Sequence, residues 1–206
     1  MFIGKWNKSV YLTYISLGFA ILGIYLATAL GKTHLALMCL MCCGICDMFD
    51  GKIARACKRN KEEIAFGIEL DSLVDLVCFG VLPIVIYISL GFTEWYNVIS
   101  FILLGVAGVA RLAYFNITLE ETNKDQAVKY YSGLPVTFTA LIIPLIYLIS
   151  YLIPTSIHPI YFPIIMFIIS ILNVLNIKIK KPTTKIYPVF IILAIIVLIL
   201  FLGVLW

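Results

Sequence analysis

The chain has 206 residues, of which 63% are hydrophobic and only 13% charged, about half the charged share of an average soluble protein, and its mean hydropathy is +1.08. A surface this poor in charge has to meet lipid over most of its area, which excludes a soluble fold, a disordered chain and a secreted disulfide scaffold. A net charge of +4 spread over so few charged side chains builds no phosphate-binding face, so a nucleic-acid reader is excluded as well.

Apolar runs of about 20 residues, each long enough to cross a hydrocarbon core of about 30 Å as a helix, fall at 9–30, 33–57, 63–90, 94–116, 132–153, 158–177 and 186–206. The pattern predicts an all-α integral membrane protein with about seven transmembrane helices, in a single transmembrane domain over 1–206. The connections are short and marked by charge or turn-formers: Gly31-Lys32, 58–62, 91–94, the polar stretch 117–131, Pro154-Thr155-Ser156, and 178–185 with Pro182. The first run is span-length and lacks a small-residue cleavage site, so no cleavable signal peptide is expected. With the N-terminus cytoplasmic, all but Lys32 of the 15 Lys and Arg collect on the cytoplasmic side. The positive-inside rule then sets the N-terminus inside and the C-terminus outside.

Within the second run, Cys39, Cys42, Cys43 and Cys46 are spaced to share one helix face. They lie in a lipid-embedded stretch beside Gly44, where small side chains allow close helix approach, and packing is favoured over a zinc site. His34 and His158 are both expected near the outer surface, far apart in sequence, and are assigned no chemistry.

Acidic side chains are the exception to this apolar pattern. Asp47, Asp50, Glu69, Asp71 and Asp75 all fall inside the second and third runs, where each carboxylate costs about 2.5–3.5 kcal/mol. Asp47 and Asp50 are three apart and Asp71 and Asp75 four apart, so each pair shares a helix face, whereas Glu69 points elsewhere. Measured from the turn at 58–62, Asp50 and Asp47 lie about 10 and 15 Å deep and Asp71 and Asp75 about 12 and 18 Å, which brings the pairs to one level of a helical hairpin. Four carboxylates there repel one another unless cations neutralise them, and two divalent ions would do so. Oxygen ligands in a site open to the cytoplasm suit Mg²⁺ or Mn²⁺, ions commonly used to hold phosphates. Gly51, Ala54 and Gly67 share the acidic faces and leave room for a ligand against the backbone, and Arg55, one turn past Gly51, can reach a phosphate oxygen.

Written out, Asp47-Met-Phe-Asp50-Gly51-Lys-Ile-Ala54-Arg55 and then Gly67-Ile-Glu-Leu-Asp71-Ser-Leu-Val-Asp75 resembles the D-x-x-D-G-x-x-A-R, G-x-x-x-D-x-x-x-D signature of the CDP-alcohol phosphotransferase family at all eight fixed positions. Eleven residues separate Arg55 from Gly67, three more than in the commonest pattern, which implies a longer cytoplasmic turn. The resemblance implies a multi-pass enzyme of phospholipid biosynthesis in the cell membrane, its active site facing the cytoplasm. Such an enzyme moves a phosphatidyl-type group from a CDP-linked lipid to an alcohol and releases CMP. It also implies two divalent metals held by Asp47, Asp50, Asp71 and Asp75, with Asp75 as general base, and a cytidine diphosphate pocket lined by Gly51, Ala54, Arg55 and Gly67. The catalytic helical hairpin would be 33–90, within a six-helix core that leaves the terminal helix outside. A homodimer is the family-level expectation.

The acceptor is read from three segments C-terminal to the signature. Cys78-Phe79-Gly80 with Pro83, Arg111-Leu-Ala-Tyr-Phe-Asn116 and Ser132-Gly133-Leu134-Pro135 are similar to segments typical of bacterial and archaeal phosphatidylserine synthases. Arg111 suits the carboxylate of serine and Asn116 a polar headgroup, with Gly133 and Pro135 completing the candidate acceptor site. The competing reading of Arg111 is a cytoplasmic-end anchor, and that of Gly133 and Pro135 the start of the fifth span. Glycerol phosphate or inositol phosphate is the alternative acceptor, but a phosphorylated acceptor needs more than one cation and spans four to six offer only Arg111. A divalent-metal transporter is the reading from another class, and it is disfavoured because the acids lie towards one face of the membrane and not at its midplane.

Overall fold

A computed structural model of the protein describes residues 3–121, 130–180 and 187–204. Among these, the helical rods in chain order are α1 (Tyr11–Thr28), α2 (Thr33–Ala56), α3 (Lys61–Ser89), α4 (Trp95–Glu121), α5 (Thr139–Ser150), α6 (His158–Val174) and α7 (Tyr187–Val204). The stretches Lys8–Thr28, Thr33–Ala56, Lys61–Ser89, Trp95–Thr118 and Thr155–Val174 are long and apolar enough to cross a membrane, while Val136–Ser150 and the described apolar part of α7, Ile192–Phe201, are shorter. The protein is therefore an all-α membrane protein.

Small side chains decide which face of α1 turns inward. Thr13, Ser16, Ala20, Gly23 and Ala27, spaced by three and four, are buried, whereas Ile15, Ile21, Leu22 and Tyr25 point outward. Lipid tails are as apolar as leucine, so helices gain little by hiding large apolar groups from lipid and gain more by approaching closely along small ones. α1 packs on α2 and α3 by this stripe, and α2 is the central rod, touching α1, α3, α5 and α7. A Cβ added to Gly44 would lie 2.6 Å from the Ala140 Cβ, which marks the crossing of α2 and α5. All six cysteines are free thiols. Cys43 donates to the Ser16 carbonyl (3.3 Å), and the Cys78 Sγ lies 3.4 Å from the Ser16 Oγ. These thiols join α1, α2 and α3, in keeping with packing.

α3 is not a uniform α-helix. A capping box starts it: the Glu63 N–H donates to the Asn60 side chain and the Asn60 N–H to the Glu63 carboxylate, both at 2.8 Å. Its α-helical ladder runs to Asp75, widens to a π turn over Leu76–Val81, and becomes regular again over Leu82–Ser89. Pro83, which has no N–H to donate, is the second residue after that turn.

The sequence treats 117–131 and 178–185 as loops, but part of each forms a short ribbon. β1 (Tyr130–Ser132) pairs antiparallel with β2 (Lys178–Lys180), Tyr130 opposite Lys180, and so joins the α4–α5 connection to the α6–α7 connection. Beyond β1, Gly133 takes φ +76 and donates its N–H to the Ile177 carbonyl (2.9 Å), and Leu134 donates to Leu172 (2.8 Å). A Cβ at Gly133 would sit 2.7 Å from the Asn173 carbonyl oxygen, so only glycine fits under the end of α6. The expected fifth span, 132–153, is therefore shortened. Its helix begins only at the 3-10 turn Val136–Phe138, because the preceding residues give their hydrogen bonds to Leu172 at the end of α6 and to Ile177 just beyond it.

At one end of the bundle lie Lys5, Lys8, Lys52, Arg55, Lys58, Arg59 and Lys61, and at the other Lys32. Lys124, Lys129, Lys181 and Lys185, counted with the first group in the sequence, lie outside the described residues. Both histidines act as joints at the far end. The His34 Nε2 is 2.9 Å from the Tyr151 hydroxyl, with its ring edge-on to Phe201 of α7, and the His158 Nε2 is 3.0 Å from the Ser150 carbonyl at the end of α5.

The α2–α5 crossing yields a stability prediction. Gly44→Val should overpack it and cost about 1–3 kcal/mol, seen as a lower melting temperature in detergent. Gly18→Ala should melt no lower than wild type, since nothing lies within 4 Å of an added Cβ there.

Candidate active site

The C-terminal half of α2 and the N-terminal half of α3 form the hairpin that carries the acidic residues, and its turn is held from outside. Lys5 pairs with Glu62 (2.6 Å), and the Asn7 side chain donates to the Lys58 carbonyl (3.3 Å). With the Asn60–Glu63 cap, these contacts fix where α3 begins and hence the level at which its carboxylates stand.

Carboxylate oxygens of Asp47, Asp71 and Asp75 all lie within 4.8 Å of one another. Asp50, 7% exposed, lies one turn nearer the hairpin turn, within hydrogen-bonding reach of Asp71, and accepts the Gly51 N–H. The hairpin thus brings together three of the four expected carboxylates, and Asp50 joins them through Asp71. Oxygen ligands bound at about 2.0–2.6 Å stand about 4–5 Å apart across a divalent cation, so this triad has the span of a hard-metal site. Neutralisation by cations is also what carboxylates at this separation require. No cysteine or histidine enters such a group among the described residues. Glu69 is exposed and apart from the cluster, in line with its expected direction.

The signature glycines differ from the packing glycines of the bundle. A Cβ at Gly51 would meet only the guanidinium of Arg55, at 3.7 Å, an ordinary contact with the end of a flexible chain. A Cβ at Gly67 would meet only the guanidinium of Arg59, also at 3.7 Å. No helix packs against either position, unlike Gly44 or Gly133. Ala54, one turn past Gly51 on α2, continues the same half-exposed face. Together Gly51, Ala54 and Gly67 leave a recess beside the carboxylates, with the Arg55 and Arg59 side chains over it.

The opposite wall comes from α4. Ser72, next to Asp71, donates to the Asn116 Oδ1 (3.0 Å), which pins α4 to α3 beside the carboxylates. Arg111, 9% exposed, lies five residues earlier on α4, about 7–8 Å deeper, at the level of Asp75 and the π turn. Gly133 is committed to α6, as described above. Pro135 is buried and leads into the turn Val136–Phe138, which packs against α2 and the π turn. Counting back one turn from Ala140, opposite Gly44, brings Val136 to the level of Asp47.

Sequence reasoning passed over three features here: Arg59, Ser72 and the π turn after Asp75. The signal for Arg59 was the long Arg55–Gly67 interval, read only as a longer turn. Ser72 sits beside Asp71 but faces α4, a contact that helical periodicity on α3 does not reveal. For the π turn, Gly80 and Pro83 were the available hints.

The family model described as CDP-alcohol phosphatidyltransferase matches residues 6–206. A CDP-diacylglycerol–serine O-phosphatidyltransferase of Saccharomyces cerevisiae is 41% identical over 109 residues, covering 50% of this chain and 38% of that protein. A protein of the same name from Helicobacter pylori is 34% identical over 109 residues, 52% of this chain and 43% of its own. An archaetidylserine synthase of Methanothermobacter thermautotrophicus is 30% identical over 123 residues, 59% of this chain and 49% of its own. The match therefore spans less than half the length of these relatives. No solved structure matches the chain. With its acidic hairpin and the family match running through nearly all of its length, the chain belongs to the CDP-alcohol phosphatidyltransferase family.

Proposed function

We propose that this protein transfers the phosphatidyl-type group of a CDP-linked lipid to the hydroxyl of L-serine and releases CMP. The observation that carries the reading is the convergence of Asp47, Asp71 and Asp75 on a hairpin bearing all eight signature residues, beside a recess over Gly51 and Gly67. The names of the relatives support serine as the acceptor.

The family is divalent-metal dependent, and the acidic cluster fits that requirement. Asp47, Asp50, Asp71 and Asp75 would hold two cations, Mg²⁺ or Mn²⁺, which when bound supply Lewis-acid stabilisation of charge on the phosphate oxygens and on leaving CMP. The chain's own residues do the rest. Gly51, Ala54 and Gly67 leave room for the cytidine diphosphate, and Arg55 binds a phosphate oxygen. Arg111 holds the serine carboxylate and Asn116, oriented by Ser72, its polar headgroup. The Gly133–Pro135 segment forms the wall behind them. The Asp75 carboxylate takes the proton of the serine hydroxyl, whose oxygen bonds to the β-phosphorus as the bond from that phosphorus to the CMP oxygen breaks.

Irregular backbone at membrane depth is tolerated where it lines a protein cavity, and the late start of α5 obeys that rule. We also assign the N-terminus to the cytoplasm, seven spans, an active site opening to the cytoplasmic face of the cell membrane, and a homodimer. The one-sided placement of Lys and Arg supports the orientation, and family membership the dimer.

Three outcomes test the reading in a CMP-release assay with CDP-lipid and, in turn, serine, glycerol 3-phosphate and inositol phosphate. Serine alone should support release, EDTA should abolish it, and Mg²⁺ or Mn²⁺ should restore it; full activity in excess chelator contradicts the two-metal site. Asp75→Asn keeps size but loses proton acceptance, so turnover should fall by at least about 100-fold with CDP-lipid binding kept, whereas turnover within about threefold of wild type places the base elsewhere. Arg111→Lys should raise the serine KM markedly, because an ammonium lacks the bidentate fork, and leave the CDP-lipid KM unchanged. A wild-type serine KM in that variant leaves Arg111 as a charge anchor only.

A further inference from the structure

Arg59 lies outside the signature, in the stretch that makes the α2–α3 turn longer than the common pattern. We propose that it is a second guanidinium ligand for the diphosphate of the CDP-lipid, closing on the recess opposite Arg55; the inference rests on the transferase reading above.

Three observations carry it. The Arg59 guanidinium stands 3.7 Å from where a Gly67 Cβ would be, as the Arg55 guanidinium does from the corresponding point at Gly51, so a cation from the end of α2 and one from the turn are the nearest groups to the two signature glycines. Glu62 is paired with Lys5 and Glu63 is engaged in the Asn60 cap; Glu63 feels the Arg59 charge from a distance, but Arg59 makes no salt bridge to a described residue. It is also half-buried, where a cation without a close partner is costly and an anion is the natural complement. A diphosphate carries two anionic groups, and a planar guanidinium binds each by paired hydrogen bonds. One arginine per phosphate uses both cations, and the longer turn is what allows the second to reach Gly67.

The test uses the full chain in detergent, with CDP titrated calorimetrically in the presence of Mg²⁺, and wild type compared with Arg59→Ala and Arg59→Lys at matched melting temperature. Arg59→Ala should weaken CDP at least about tenfold and Arg59→Lys should recover part of the loss, since a hydrogen bond between charged groups is worth at least that factor. In turnover, Arg59→Ala should raise the CDP-lipid KM by a similar factor, with kcat within about threefold and serine KM unchanged. A turn that merely loosened would instead lower the melting temperature, weaken Mn²⁺ binding in the absence of nucleotide, and gain nothing from lysine; that pattern overturns the proposal. So does wild-type CDP affinity in Arg59→Ala, which would leave the transferase reading intact. Failure of the wild-type protein itself to bind CDP overturns both.

Discussion

Carboxylates at membrane depth cost about 2.5–3.5 kcal/mol each, and three of them within 4.8 Å of one another add mutual repulsion. Nothing in an apolar bundle offsets that unless the site is reached by water and cations, and the acidic cluster has the spacing that a divalent cation requires. The hairpin turn lies only about 10–18 Å from the carboxylates along either helix, so water and ions have a short path. Pinning that turn by Lys5–Glu62, Asn7–Lys58 and the Asn60 cap keeps the two helices in register despite the repulsion.

The same site explains departures from regular structure elsewhere. α3 changes its winding immediately after Asp75, and π turns occur often at functional sites because the extra residue redirects the side chains around it. α5 begins at the level of Asp47 and not at the membrane surface, and the N–H groups of the segment before it bond to the end of α6 and to Ile177 just beyond it. By contrast, the far end is closed by ordinary side-chain joints, among them His34–Tyr151 and His158–Ser150.

Much of this was legible in the sequence because it depends on period and spacing. Apolar runs gave the helices, and three- and four-residue intervals placed Asp47 with Asp50 and Asp71 with Asp75. The packing role of the cysteines came from their place inside an apolar run. What the sequence did not reveal depends on contacts between distant segments. The start of α5 is set by hydrogen bonds from Gly133 to Ile177 and from Leu134 to Leu172 at the end of α6, and the Ser72–Asn116 bond joins helices 44 positions apart. Local pattern contains neither. That Gly51 and Gly67 leave open space while Gly44 and Gly133 are close-packed is likewise invisible in composition, since all four are the same residue type.

The central claim is that the hairpin gathers its carboxylates to hold a pair of divalent cations. Electron paramagnetic resonance during Mn²⁺ titration of the purified protein measures this directly. Two bound Mn²⁺ per chain with the spectrum of a spin-coupled pair, reduced by Asp71→Asn, is the expected result. A protein that binds no Mn²⁺, or a single isolated ion unaffected by Asp71→Asn, would contradict it.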